Sequence, residues 1–371
     1  MRIYCVGGAV RDSLLGLPVS DHDYVVVGAT PQQMLQAGYL QVGKDFPVFL
    51  HPHTHDEYAL ARTERKTAPG YKGFQVYAAP DVTLEEDLAR RDLTINAIAR
   101  DQDGQIIDPW GGQRDLQARI LRHVSQAFSE DPVRILRLAR FAARFTDFEV
   151  APETMGLMQQ MVAHGEVDAL VAERVWQEVA RGLQEARPSR MLQILRACGA
   201  WARLAPELEA CWRAPAQYGR TLTRLDHAPP QLALRFALLL HELGQDEAAL
   251  RTLCARWKTP TECQDLALLY LRHASQLRAG AALNAAQSVA LLQACDAWRR
   301  PERFDCLLQV LAADWPEQDN SALCAQWQAR LHAASAIDSG AVAQRVREQG
   351  GDPAQIGHAI HAARVAALAA L

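Results

Sequence analysis

At 371 residues the chain is longer than one hydrophobic core supports, so two or three domains are expected, and 49% apolar with 22% charged residues is ordinary for a soluble protein. No apolar run approaches the roughly 20 residues of a membrane helix, and no charged-then-apolar leader precedes the first strand pattern, so the expected location is cytoplasmic. The net charge of −4 excludes a general electrostatic pull toward nucleic acid; any RNA contact must come from locally clustered arginine and lysine.

In chain order, Ile3 to Val6 reads as a strand, Ala9 to Leu15 as a short helix stopped by Gly16, and Tyr24 to Val27 as a β-branched strand. Further strands are expected around Val48 to Leu50, Glu57 to Ala61 and Phe74 to Tyr77. The Thr83-x-x-Glu86 pattern is a capping box, and the helix it opens is expected to carry Arg90 to Asn96. A hairpin at Asp103-Gly104 closes a small α+β unit of about 115 residues with a mixed sheet. From Gly111 the periodicity is helical almost throughout, broken near Pro188, Pro206, Pro229-Pro230, Pro260 and Pro301, with no fixed-period repeat. Ala214 to Pro230 is the best linker candidate. The eight cysteines form no C-x-x-C pair and read as reduced core thiols.

Within CVGGAVRDSLLGLPVSDHDYVVVG, Gly7-Gly8 lies between a strand and a helix start, where backbone can approach a phosphate and Arg11 can add a charge. Alone, such a pair is more often a simple turn. Its company is Asp21 and Asp23, carboxylates two residues apart that point to one face and repel unless cations neutralise them. Metal ions so held suit phosphoryl or nucleotidyl transfer. Arg134, Arg137, Arg140 and Arg144 recur at helical spacing, with Ser129 as the expected N-cap and Pro132 in the first turn. A stripe of this kind is usually a solvated face. His51, His53 and His55 alternate around Pro52 without a completing ligand and stay unassigned.

The chain resembles the class II CCA-adding tRNA nucleotidyltransferases of the DNA polymerase β nucleotidyltransferase superfamily, bacterial branch. Five blocks carry the resemblance in order: GGAVRD with SDHDYVV, ALARTERK at Ala59 to Lys66, RRDLTINA at Arg90 to Ala97, EDPVRILRLARF at Glu130 to Phe141, and ERVWQE at Glu173 to Glu178. It implies an α+β nucleotidyltransferase head at 1–115, a helical neck at 116–213 bearing the nucleobase-selecting helix, and a tRNA-binding helical body and tail at 214–371. It also implies Mg²⁺ on Asp21 and Asp23 as the catalytic pair, with Glu64 a weaker third carboxylate. Gly8, Arg11, Arg91, Asp92, Arg137 and Arg140 would bind the nucleotide, with Asn96 a lesser helper, and Asp131 and Arg134 would read the base of CTP or ATP.

The implied activity is template-independent addition of CCA to tRNA by two-metal transfer with release of pyrophosphate. A loop at Lys66 to Gly73 would serve the switch from C to A addition. A bacterial poly(A) polymerase shares the head and neck motifs, although the acidic balance and lack of a basic tail lean against it; an inactive tRNA-binding protein would share the scaffold. HELG at His241 to Gly244 falls where longer relatives carry a His-Asp phosphohydrolase motif, with Glu242 in place of Asp, so that activity is expected to be absent.

Overall fold

The computed structural model describes residues 1–19, 21–42, 48–66 and 74–371. The loop expected at Lys66 to Gly73 lies outside them from residue 67 on, as does the side chain of Glu64. The chain forms two compact units, Met1–Gly182 with Arg190–Leu204, and Leu183–Ser189 with Ala205–Leu371.

The first unit is built on a seven-stranded sheet of β1 (Arg2–Val6), β2 (Asp23–Val27), β3 (Leu40–Val42), β4 (Val48–Leu50), β5 (Glu57–Leu60), β8 (Ala99–Arg100) and β9 (Ile106–Ile107), in the order β3-β4-β5-β2-β1-β8-β9. The strands β6 (Thr63–Lys66) and β7 (Phe74–Tyr77) pair separately. β2 runs antiparallel to β1 and parallel to β5, so the sheet is mixed. Alternation along β2 sends Val25 and Val27 to a core with Tyr4, Val6 and Leu88, while Val26 joins Met34, Phe49 and Leu60 on the opposite face. The β8–β9 hairpin turns where Asp103-Gly104 implied, with Asp101 Oδ1 accepting from the backbone N–H of Asp103 and Gln105.

Helices α1 (Gly8–Leu14), α2 (Pro31–Gln36), α3 (Leu84–Ala89), α4 (Gly112–Ala118), α5 (Val133–Arg144), α6 (Pro152–Ala163) and α7 (Ala172–Gln184) follow in sequence. Thr83 and Glu86 cap α3 reciprocally, as their spacing implies. The helix stops at Ala89, however, with Arg90 as its C-cap, and does not carry Arg90 to Asn96. Leu93 is drawn into a β-bridge with His123, the Thr94 N–H donates to the Arg122 carbonyl, and Thr94–Asn96 closes as a 3₁₀ turn.

α4 packs its first turn onto that segment. A Cβ at Gly112 would run into the Thr94 carbonyl oxygen and approach Ile98 Cγ1 to 2.7 Å. Gly112→Ala is therefore expected to destabilise the protein by about 1–3 kcal/mol, measured as a lowered urea midpoint at unchanged slope.

The N-cap of α5 also differs from expectation. Ser129 sits inside a 3₁₀ turn, Gln126–Glu130, donating to the Gln126 carbonyl, and the Asp131 carboxylate accepts from the Val133 N–H. Proline at 132 forces residue 131 out of helical conformation, which leaves Asp131 and not Ser129 beside the open N–H groups.

The second unit is helical. The linker candidate is itself a helix, Pro215–His227, because a proline at the first turn gives up an N–H that would have no intrahelical partner. Trp212, Trp257 and Trp327 are fully buried there. All eight cysteines are free thiols, and burial pushes Cys198, Cys254 and Cys263 up to about 11 and Cys295 up to about 12, which keeps them protonated and inert. No helix among the described residues is long and apolar enough to cross a membrane.

His241–Leu243 of the HELG stretch is a 3₁₀ turn against a carboxylate that is fully buried, Asp314. Tyr270 donates to Asp314 Oδ2 at 2.6 Å, as does Arg278 at 2.6 Å, and His241 Nε2 lies 3.6 Å from the same oxygen. The Arg224 guanidinium lies 3.0 Å from Glu242 and 3.1 Å from Asp314. Two arginines thus balance two carboxylates, and His241, pushed below its usual range chiefly by burial, stays neutral at pH 7.

Candidate active site

The β1–β2 register sets the first corner. Asp23 stands opposite Val6, so the chain that turns at Gly7 leaves the sheet beside the carboxylates. Gly7 has φ of 70°, which favours glycine, while a Cβ there would meet only the movable tip of Arg91, Nη1 at 3.0 Å. Gly8 has ordinary φ and meets only the tip of Arg11; its missing side chain leaves the cleft open.

A cleft of about 600 Å³ follows from this turn. Its described lining includes nine arginines against Asp23, Asp92 and Asp131, a strong positive excess in a protein of net charge −4. Such a surplus suits a polyphosphate. Gly8, Arg11, Asp23, Arg91, Asp92, Asp131, Arg134, Arg137 and Arg140 all line it, drawn from segments more than a hundred residues apart. Asp21 is exposed just before β2 and is outside that lining, although its charge is felt at Asp23.

The arginine stripe of α5 faces this cleft and not bulk solvent: Arg134, Arg137, Arg140 and Arg144 all line it, while Ile135, Leu138 and Ala142 are wholly buried on the other sides. One continuous polar chain ties two of its arginines, Arg144 and Arg137. Arg144 donates to Asp12 Oδ2 at 2.9 Å and Arg11 Nε to Asp12 Oδ1 at 2.8 Å. Arg11 Nη1 donates to Asn96 Oδ1 at 2.6 Å, and Asn96 donates to Asp92 Oδ1 at 2.9 Å. Arg137 Nε closes the chain on Asp92 Oδ2 at 2.8 Å. Arg11 also lies 5.1 Å from the ring centres of both Phe141 and Phe145.

Burial alone would push the Asp92 carboxyl up, but the Arg137 charge, the hydrogen bonds from Asn96 and Arg137 and the charge of Arg134 hold it well below the usual carboxylate range. Asp92 therefore works first as the anchor of Arg137. Asp23 moves the other way: crowding of its carboxyl by protein atoms raises it, Arg91 opposes, and the neighbouring Asp21 charge raises it further. A cation would relieve that repulsion. No group of three or more His, Cys, Asp or Glu side chains able to hold a metal occurs among the described residues. Two carboxylates nevertheless fit Mg²⁺, which is commonly held by one or two carboxylates and completed by water and substrate phosphates.

Four further residues escaped the sequence reading as site components. Arg62 and Arg90 line the cleft, with the Arg62 N–H donating to Asp87 and Arg90 lying 3.8 Å from the same carboxylate. Arg174 and Glu178, one turn apart on α7, reach Asp131 and Arg140 of the α5 segment. Their i, i+4 spacing within ERVWQE was the available signal. The alternating histidines hold no metal-like arrangement; His51 Nδ1 accepts from the His53 and Thr54 N–H groups and shapes their turn.

A family model described as "Poly A polymerase head domain" matches residues 3–122, and one described as "Probable RNA and SrmB- binding site of polymerase A" matches residues 147–211. The chain is 54% identical to the "Multifunctional CCA protein" of Azoarcus sp. strain BH72, covering 100% of this chain and 97% of that protein. The namesake of Cupriavidus necator is also 54% identical, over 100% of this chain and 99% of its own. Among solved structures, the Bacillus stearothermophilus CCA-adding enzyme in complex with CTP superposes with a TM-score of 0.74 at 26% identity, covering 99% of this chain and 88% of that one. The Thermotoga maritima CCA-adding enzyme complexed with tRNA shares the fold, with a TM-score of 0.74 at 20% identity, covering 100% and 88%. With identity above half over its whole length and a mixed-sheet head bearing an arginine-lined cleft, the chain belongs to the class II CCA-adding tRNA nucleotidyltransferases.

Proposed function

We propose that this protein adds CCA to the 3′ end of tRNA from CTP and ATP, choosing each nucleotide without a nucleic-acid template and releasing pyrophosphate. The observation that carries the reading is one cleft in which an arginine surplus surrounds Asp23 together with the pair Asp131 and Arg134. Arg91, Arg137 and Arg140 grip the triphosphate, aligned by Asp87, Asp92 and Glu178 respectively. Arg11, with Asn96 and Asp12 on two of its nitrogens, braces the Gly7-Gly8 turn beside it. Asp21 and Asp23 would hold a pair of Mg²⁺ ions, whose charge would acidify the RNA 3′ hydroxyl and stabilise the departing pyrophosphate.

Base choice falls to Asp131, a carboxylate that can accept from the exocyclic amino group carried by C and A, and to Arg134, which can donate to ring acceptors. In this reading the first unit combines head and neck, the second grips tRNA as body and tail, and the work is cytoplasmic. The HELG turn carries no metal-dependent phosphohydrolase; Arg224 lies within ion-pair distance of both Glu242 and Asp314, which supports this. The test is incorporation of labelled CTP into tRNA stripped of its last three nucleotides, beside an unrelated RNA of equal length, with and without chelator. Label is expected only on tRNA and only without chelator; equal labelling of both RNAs would contradict the proposal.

A further inference from the structure

We propose that Arg174 is the positioning residue for nucleotide selection: it orients the Asp131 carboxylate, and the preference for C and A over U depends on it. The inference rests on the reading of Asp131 as a base-selecting group. Asp131 lies in extended conformation between a 3₁₀ turn and α5, where its own backbone leaves the carboxylate free to rotate about a broad, roughly two-fold torsion. Three donors among the described residues remove that freedom. The Val133 N–H reaches Oδ1 at 3.1 Å, and the Arg174 fork reaches Oδ1 at 3.0 Å and Oδ2 at 2.7 Å.

A planar guanidinium bonded to both oxygens sets the plane of the carboxylate, which one cap bond cannot do. A carboxylate has about four acceptor positions, so three donors leave one on Oδ2 for an exocyclic amine. Cytosine and adenine present that amine; uracil presents a carbonyl, which a carboxylate repels. Arg134, the partner in selection, is fixed on the same stretch by donating to the Ala127 carbonyl at 2.6 Å.

Arg174 also lies in the right place to act mainly on orientation. It comes from a helix more than forty residues further on, with its side chain 28% exposed and that of Asp131 19% exposed, so the pair is partly solvated and contributes modestly to stability. The stronger tie between α7 and α5 is the buried pair of Glu178 with Arg140 at 2.6 Å, which Arg174 substitutions leave in place.

The test is single-turnover addition of the first nucleotide to tRNA lacking its CCA end, with CTP and with UTP, for Arg174→Gln, Arg174→Lys and Asp131→Ala. Arg174→Gln is expected to lower the CTP:UTP ratio of kcat/KM by about tenfold or more, through the CTP value, with UTP nearly unchanged. Arg174→Lys, a point charge without the planar fork, should fall between Gln and the parent. Adding Arg174→Gln to Asp131→Ala should lower the ratio no further. Equal losses toward CTP and UTP, or an unchanged ratio, would overturn the inference. Should Arg174→Gln fail to fold, Arg174→Lys decides alone, a parental ratio overturning it. If Asp131→Ala keeps the parental ratio, the underlying reading of Asp131 fails; if it loses the ratio while both Arg174 variants keep it, only the role of Arg174 fails.

Discussion

Protein carrying Asp21→Ala and Asp23→Ala is expected to lose nucleotide addition by about three orders of magnitude or more, while folding as the parent does. Both residues are exposed, and crowding and the Asp21 charge raise the Asp23 carboxyl, so removing the two carboxylates relieves repulsion. Thermal unfolding and labelled-CTP incorporation on the same preparation separate the two effects. A melting temperature within a few degrees of the parent, together with lost incorporation, is the predicted result. Retained incorporation would remove these aspartates from the chemistry.

Asp92→Ala is expected to destabilise the protein by about 2–4 kcal/mol. Asp92 is 7% exposed and accepts from Leu93 N–H, Asn96 and Arg137, so its loss removes the shared acceptor of three donors. The cost falls below that of a fully enclosed pair because the Arg137 side chain keeps 36% of its surface exposed. The same contact sets a pH dependence. The folded carboxyl lies well below its unfolded value of about 4, so the stabilisation is complete above that pH and drains away as pH falls through the folded value. Urea unfolding between pH 7 and pH 3 should show the parent losing stability on acidification and Asp92→Ala losing less of it. Parallel curves would show that Asp92 is not the linked group. Activity should fall too, because Arg137 loses its anchor.

Local features were legible where the deciding forces are local. The strand and helix flanking Gly7, the Thr83–Glu86 cap and the Asp103-Gly104 hairpin all appear where propensity and turn chemistry put them. The family resemblance supplied many but not all of the cleft residues, which the fold draws together from the β1–α1 turn, the 90–96 segment and α5. What the sequence hid are choices made by distant partners. The helix opened at Thr83 ends early because His123 and Arg122 compete for the backbone of Leu93 and Thr94. Arginine stripes look alike whether they face water or a cleft, and only Asp92 and Glu178, from other elements, reveal which. Arg174 carries only its i, i+4 spacing to Glu178 as a local mark, since its meaning lies in reaching Asp131 forty-three residues earlier.

The most direct test of the central claim is product length on tRNA lacking its 3′ end, read on a sequencing gel with each nucleoside triphosphate alone and with CTP and ATP together in the presence of Mg²⁺. Two residues added from CTP alone, three from the pair, and none from UTP or GTP is the predicted pattern. A long adenosine tract from ATP alone would contradict it and make the protein a poly(A) polymerase.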